Sequence, residues 1–183
     1  MGGLILLGVL ALIIFWLIAL YNGLVTLRQR SKQAYADITV QLKQRHDLIP
    51  NLVETVKGYA AHEKTTLDAV ISARAKATSA TGIADVAAAD GQLTTALRGL
   101  LAVAESYPDL KASANFLALQ EELSTTENKV SFARQFYNDT VRSLNQAVKS
   151  FPSSLFAGMA KVSARAFYEV EKPTDRNVPN VKF

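Results

Sequence analysis

The chain has no cysteine and only two histidines, and both shortages restrict its chemistry. Without cysteine, disulfide frameworks, thiolate catalysis and cysteine-bound zinc or iron–sulfur clusters are excluded. The histidines, His46 and His62, would lie about 24 Å apart on an unbroken helix, too far to share a metal ion. Zinc proteases place a second histidine one helical turn after the first, but the sequence after His62 reads EKTT. No metal site is therefore expected.

Motifs for catalysis are also missing. The chain contains neither the G-x-S-x-G nucleophile turn nor a glycine loop of the phosphate-binding types. Glu121 and Glu122 fall on the polar side of a helical pattern, where a solvated surface explains them. The net charge of +4 is mildly basic, but much of the positive charge flanks an apolar segment, so it is weak support for nucleic-acid binding. We expect no enzyme activity, cofactor, small-molecule substrate or nucleic-acid partner.

Charge is absent from the whole N-terminal stretch before Arg28. The run from Leu4 to Leu20 is almost purely apolar, and about 20 such residues cross a bilayer as a helix. A cleaved signal peptide is the alternative, but it needs a basic start and a small-x-small cleavage site, and neither is present. Residues 1–24 are therefore predicted to form a transmembrane anchor with an external N-terminus.

Three basic residues follow the anchor, namely Arg28, Arg30 and Lys32. The positive-inside rule then places the body of the chain in the cytoplasm, with a periplasmic body as the alternative. The same side chains are candidate contacts for anionic lipid headgroups, at about 1 kcal/mol each near the surface. An ordinary topology signal also explains them.

Beyond the anchor, residues 25–169 have the spacing of a helical bundle. Apolar residues recur every three, four or seven positions from Asn22 to about Ala80, where Pro50 should kink or break the helix. A turn is predicted between Thr78 and Gly82, and Tyr107-Pro108-Asp109 should end the next helix. Residues 170–183 are predicted to form an extended or disordered tail.

The longest helical pattern lies in the second half of the chain and has a mean step close to 3.5 residues, as in a coiled-coil seam. We call these residues the seam: Phe116, Leu119, Leu123, Thr126, Val130, Ala133, Tyr137, Val141, Leu144, Val148 and Phe151. Such a stripe can be buried within one bundle or between two chains. Together the patterns predict an all-α protein, in which the transmembrane helix is followed by an antiparallel, four-helix-bundle-like arrangement of long helices.

The stretch RHDLIPNLVETVKGYAAHE carries the candidate site. Arg45 and His46 interrupt the apolar face just before Pro50, so they should satisfy backbone carbonyls that the proline frees, or contact a partner. The candidate kink or interface comprises Arg45, His46, Asp47, Pro50, Asn51 and Glu54. The alternative is an enzyme or metal-dependent factor that uses Arg45, His46 and Glu54.

Several segments resemble the LemA family: YNGLVTLRQ after the apolar run, then QLKQRHDLIPNLVETVKGYAAHE and ISARAKA. The segment ENKVSFARQFYNDTVRSLNQAVKSFPSSLFA and a Phe-Tyr-Glu tail are similar to the second half of that family. The resemblance covers nearly the whole chain. It implies a single-pass bacterial membrane protein with an all-helical bundle and no catalytic reaction that can be carried over.

Two functions therefore compete. The first is a membrane-anchored helical scaffold or adaptor in the bacterial inner membrane, which self-associates or binds another envelope protein. The second is the enzyme centred on Arg45, His46 and Glu54. The anchor and the seam favour the first, so the expected partners are the lipid bilayer and either a second copy of the chain or another membrane protein.

Overall fold

A computed structural model describes residues 1–169, and the predicted tail at 170–183 lies outside this range. The helices are α1 (Gly2–Tyr59), α2 (Lys64–Ser79), α3 (Ile83–Ala104), α4 (Pro108–Lys111), α5 (Ala114–Lys149) and α6 (Ser153–Ala157). The described residues contain no β-strand, so the all-α prediction is confirmed.

The first part of α1 contains the apolar run. Its side chains are almost all exposed; Leu4 is 74% and Leu12 72% accessible. By length and composition this helix could cross a membrane, and it is the one helix in residues 1–169 with these properties. A long apolar surface with no protein packed on it indicates a membrane protein.

The helix α1 passes through Pro50 without interruption, so of the two predicted outcomes, a kink or a break, the break does not occur. Proline has no amide hydrogen, and the carbonyl that loses its helical partner is that of His46, one turn earlier. In the structure, Arg74 Nε on α2 donates a hydrogen bond of 2.8 Å to this carbonyl oxygen. A side chain from the next helix thus supplies the hydrogen bond that Pro50 cannot make.

The helix breaks instead at residues 60–63, which the periodic pattern assigned to a helix running to about Ala80. Tyr107 lies beside this turn, and its hydroxyl donates to Glu63 Oε1 at 3.0 Å. The predicted turn before α3 is confirmed, and Gly82 has a φ of +89° there, a backbone conformation that glycine adopts without strain.

The chain divides into two compact units. We call Met1–Val40 with Ser131–Phe167 the anchor unit, and Gln41–Val130 with the chain from Tyr168 the bundle unit. The bundle unit has an apolar core of alanine, leucine and valine in which Leu52, Val70 and Leu100 are fully buried.

In the anchor unit, the chain after α6 runs in non-helical conformation beside α5. Asn145 holds this segment through two hydrogen bonds to the backbone of Arg165: its amide nitrogen donates to the carbonyl at 2.9 Å, and its carbonyl accepts from the amide at 2.8 Å. The Tyr137 hydroxyl donates to the Ala166 carbonyl at 2.9 Å. Burial raises the pKa of this tyrosine, so it remains a donor at neutral pH. Two side chains of α5 thus hold the C-terminal segment in place.

The seam is buried or half-buried within the single chain, from Phe116 to Val148. Its last predicted member, Phe151, is 81% exposed because α5 ends at Lys149. The 3.5-residue pattern therefore corresponds to side chains that pack within this chain.

The Arg74–His46 hydrogen bond predicts a specific mutational pattern. Replacement of Arg74 by Met removes the donor and leaves the His46 carbonyl without its partner, which should lower the free energy of unfolding by about 1–3 kcal/mol. In a Pro50→Ala background the same replacement should cost less, because alanine restores a backbone amide that can donate to this carbonyl. Urea denaturation of the full-length protein in mild detergent measures the loss of unfolding free energy caused by Arg74→Met in the wild-type and in the Pro50→Ala background. Lys76→Met, an exposed change on the same helix, is the matched control; an equal cost of Arg74→Met in both backgrounds would contradict the assignment.

Candidate functional site

Two charged residues of the bundle unit occupy positions that helical periodicity reserves for apolar side chains. Arg45 continues the buried stripe of α1 that includes Leu42 and Ile49, and Asp90 continues the stripe of α3 that includes Leu93 and Leu97. Each residue is three or four positions from its buried neighbours, so each side chain is directed into the core.

Arg45 and Asp90 form a buried ion pair. Arg45 Nη1 lies 2.9 Å from Asp90 Oδ1, and both side chains are 3% exposed. The same nitrogen donates to the Thr94 hydroxyl at 3.1 Å, and that hydroxyl donates to the Asp90 backbone carbonyl at 2.9 Å. Thr94 thus uses its oxygen as acceptor and its proton as donor, and it orients both partners of the pair.

Two further residues approach the pair. Glu127 Oε2 lies 3.8 Å from Arg45 Nη2, at the limit of ion pairing, and the Glu127 side chain is 48% exposed. Solvent screens such a contact, so it contributes little. Tyr168, itself buried, places its hydroxyl 3.4 Å from Asp90 Oδ2. Within the bundle unit, Tyr168 therefore contacts the carboxylate that pairs with Arg45 of α1.

A cavity of about 240 Å³ adjoins the guanidinium of Arg45. Its walls include Thr94, Arg98, Gln120 and Glu127. Guanidinium, hydroxyl, amide and carboxylate groups suit hydrogen bonding and charge pairing with a small polar molecule. Arg45 Nε has no hydrogen-bond partner within the described part of the chain.

His46, next to Arg45, is also buried at 7% exposure. Burial lowers its pKa below the ordinary value of 6.5, because the charged imidazolium loses hydration; the carboxylate of Asp90 opposes this shift without reversing it. Its Nε2 has no hydrogen-bond partner in residues 1–169. A neutral imidazole packed in the core fits these surroundings.

The other residues of the predicted site lie apart from this cluster. Asp47, Pro50, Asn51 and Glu54 are exposed on α1. Glu54 pairs loosely with Lys57 at 3.7 Å in solvent, so the structure does not bring it to Arg45 and His46. No group of three or more metal-ligating side chains occurs in residues 1–169.

The basic residues after the anchor belong to the anchor unit. Arg30 and Lys32 are exposed, while Arg28 is half-buried. The Arg28 carbonyl accepts a hydrogen bond from the buried Ser31 hydroxyl at 2.9 Å. Arg30 and Lys32 are therefore accessible to lipid headgroups, and Arg28 only in part.

Sequence reasoning missed Asp90, Thr94, Tyr168 and Arg74. One signal for Asp90 was present: an acidic residue falls in register with Leu93, Leu97 and Leu100, as Arg45 does with its own stripe. An unpaired charge at such a position is costly, so each predicts an opposite charge on another helix. No comparable signal marks Arg74, because its role depends on which helices meet.

Comparison with known proteins gives one family. Residues 34–183 match the model of the LemA family. The magnetosome protein MamQ of Magnetospirillum gryphiswaldense is 24% identical over 194 aligned residues, which cover 91% of this chain and 71% of that protein. The magnetosome proteins MamQ 1 and MamQ 2 of Paramagnetospirillum magneticum are 23% identical over 179 residues, covering 84% of this chain and 65% of theirs. The resemblance inferred from the sequence motifs is confirmed.

The lowered pKa of His46 predicts a pH dependence of stability. In the unfolded chain, His46 binds a proton near its ordinary pKa of 6.5, whereas in the folded chain burial lowers the pKa of this histidine. The unfolded state therefore gains protons first as pH falls, and stability decreases from about pH 6.5 downward. His46→Gln removes this contribution, so the stability difference between wild type and variant should shift in favour of the variant below that pH. The free energy of unfolding of both proteins is measured by urea denaturation between pH 7.5 and 5. A difference between them that stays constant over this range would contradict the interpretation.

Proposed function

The chain belongs to the LemA family, and on that premise we propose that it is a non-enzymatic, single-pass membrane scaffold of a bacterial inner membrane that acts by self-association. The apolar end of α1 is its anchor. The basic residues Arg28, Arg30 and Lys32 follow the anchor, so the positive-inside rule places the body in the cytoplasm.

Two features of α1 support the anchor. Apart from Gly8 and Ala11, the residues from Leu4 to Phe15 have large apolar side chains that are exposed around the whole circumference of the helix, as a lipid-facing helix requires. Trp16 and Tyr21, 52% and 41% exposed, lie at the end of this run. Aromatic side chains of these two types prefer the boundary between hydrocarbon and headgroups.

The single observation that carries the scaffold proposal is a pair of exposed phenylalanines on α5. Phe132 is 78% and Phe136 55% exposed, and a spacing of four puts both on one face of the helix. Aromatic residues are enriched at the buried centres of protein interfaces, where they contribute most of the binding energy. We call this pair the phenylalanine face.

A second copy of the chain is the occupant we propose for the phenylalanine face. A symmetric dimer would bury the same patch from both chains, so four phenylalanines would meet. Their burial is worth on the order of 6–12 kcal/mol. Association costs about 4–15 kcal/mol in lost freedom, so the face alone gives modest affinity. Confinement of both copies to one membrane raises their effective concentration and favours the dimer.

The test compares the mass of the full-length protein in mild detergent with that of the double variant Phe132→Ser/Phe136→Ser. We expect a defined oligomer for the wild type and a monomer for the variant, because the replaced side chains are exposed and their loss leaves the core intact. Leu117→Ser changes another exposed apolar residue of α5, 50% accessible, and should leave the oligomer unchanged.

A monomeric wild type calls for photo-crosslinking from position 132 in intact membranes. A crosslinked dimer would support self-association that detergent disrupts. A reproducible crosslink to one other envelope protein, lost in Phe136→Ser, would replace self-association with an adaptor role. Absence of any crosslink would contradict both forms of the proposal.

A further inference from the structure

The chain that follows α5 presents a second exposed apolar surface, distinct from the anchor and from the phenylalanine face. Phe151, Leu155 and Met159 are 81%, 67% and 73% exposed. Leu155 lies within the short helix α6, whereas Phe151 precedes its start at Ser153 and Met159 follows its end at Ala157. The three exposed apolar side chains therefore lie close together in sequence, on and around α6.

The opposite face of this segment packs on the protein. Ala157 and Ala160 are buried at 6% and 4% exposure, and Ala160 joins the apolar cluster formed with Leu24, Leu144 and Val162. The segment therefore packs on the protein through Ala157, Ala160 and the partly buried Phe156, while Phe151, Leu155 and Met159 stay exposed. Soluble surfaces seldom concentrate three large apolar side chains in so short a stretch unless something covers them.

The position of the segment in the anchor unit indicates what covers it. A cavity of about 320 Å³ is lined by Trp16, Leu20 and Leu24 of α1 together with Ala147 of α5 and Ser153, the first residue of α6. Trp16 and Leu20 lie at the end of the apolar run, where the anchor would leave the hydrocarbon. With α1 as the proposed anchor, the start of α6 would lie near the boundary of the bilayer.

The charges around the segment match a lipid surface. From residue 140 to residue 168 the chain has no acidic residue, and its charged side chains are Arg142, Lys149, Lys161 and Arg165. Lys149 and Lys161 are exposed and flank the apolar face on either side. Lysines in such positions extend their stems along apolar surface and place their ammonium groups among anionic headgroups.

We propose that Phe151, Leu155 and Met159 insert into the membrane interface beside the point where α1 emerges, as a second membrane contact. Interfacial segments of this kind place their apolar face at the boundary of headgroups and acyl chains and keep their basic residues on the polar side. This contact would hold the anchor unit against the bilayer at two points. The proposal rests on the anchor of the proposed function but not on self-association.

The natural absence of cysteine makes the test direct, because a single introduced cysteine carries a spin label at one known position. Leu155→Cys and Met159→Cys place labels on the proposed membrane face. Leu10→Cys reports the anchor. Asp37→Cys, exposed on α1 about 25 Å beyond Leu20 along the helix, is the aqueous control. All four replace exposed side chains, so the fold should be preserved.

Each labelled full-length chain is reconstituted into vesicles of phosphatidylethanolamine and phosphatidylglycerol. Accessibility to oxygen, which concentrates in hydrocarbon, is then compared with accessibility to a water-soluble nickel chelate. We expect labels at 155 and 159 to favour oxygen, as the label at 10 does, while the label at 37 favours nickel. The difference in accessibility between the label at 37 and the labels at 155 and 159 should vanish when the labelled protein is transferred from vesicles into urea.

Two results would overturn the proposal. Labels at 155 and 159 as accessible to nickel as the label at 37 would place the segment in water. Labels shielded from both reagents would indicate that protein, not lipid, covers the face. Failure of the anchor is distinguishable, because the label at 10 would then also favour nickel; a deep label at 10 with aqueous labels at 155 and 159 rejects the second contact alone.

Discussion

The ion pair between Arg45 and Asp90 is the constraint on which the bundle unit depends. Both side chains are 3% exposed and occupy positions in apolar helical stripes, so neither charge can remain in the core without the other. Thr94 orients the pair through two hydrogen bonds, and the Tyr168 hydroxyl lies beside the same carboxylate. Because alanine, leucine and valine pack in many registers, a single charged contact of fixed geometry selects one register of α1 against α3.

The same end of the bundle unit contains a second polar link of different origin. Pro50 leaves the His46 carbonyl without its helical donor, and Arg74 of α2 supplies one. Arg45 thus links α1 to α3, and Arg74 links α2 to α1. The two contact points on α1, the Arg45 side chain and the His46 carbonyl, belong to neighbouring residues. The His46 side chain is kept neutral by burial. The stretch predicted as a kink or an interface therefore contains the contacts of α1 with both α2 and α3. The surfaces proposed for a second copy of the chain and for lipid, the phenylalanine face and the segment around α6, belong to the anchor unit.

Periodicity predicted much of this architecture. The apolar run, the all-α class, the turn before α3 and the burial of the seam all follow from the spacing of apolar residues. Spacing determines which side chains are buried but not which helices meet, so the pairing of Arg45 with Asp90 required the structure. Of the kink or break expected at Pro50, the break does not occur, and the local rule behind that expectation took no account of a hydrogen-bond donor from another helix. The sequence likewise could not distinguish a seam buried within one chain from a seam buried between two chains, because both arrangements have the same period.

A double-mutant cycle on Arg45 and Asp90 tests this account most directly. Full-length wild type, Arg45→Met, Asp90→Leu and the double variant are unfolded in urea in mild detergent, with Glu127→Gln as the control for a partly exposed contact. We expect each single change to lower the free energy of unfolding by about 3–5 kcal/mol, because it leaves a buried charge without its partner. The double variant should lose at least about 2 kcal/mol less than the sum of the single losses, and Glu127→Gln should cost no more than about 1 kcal/mol. Additive losses, or single variants as stable as the wild type, would show that the pair does not hold the bundle unit together.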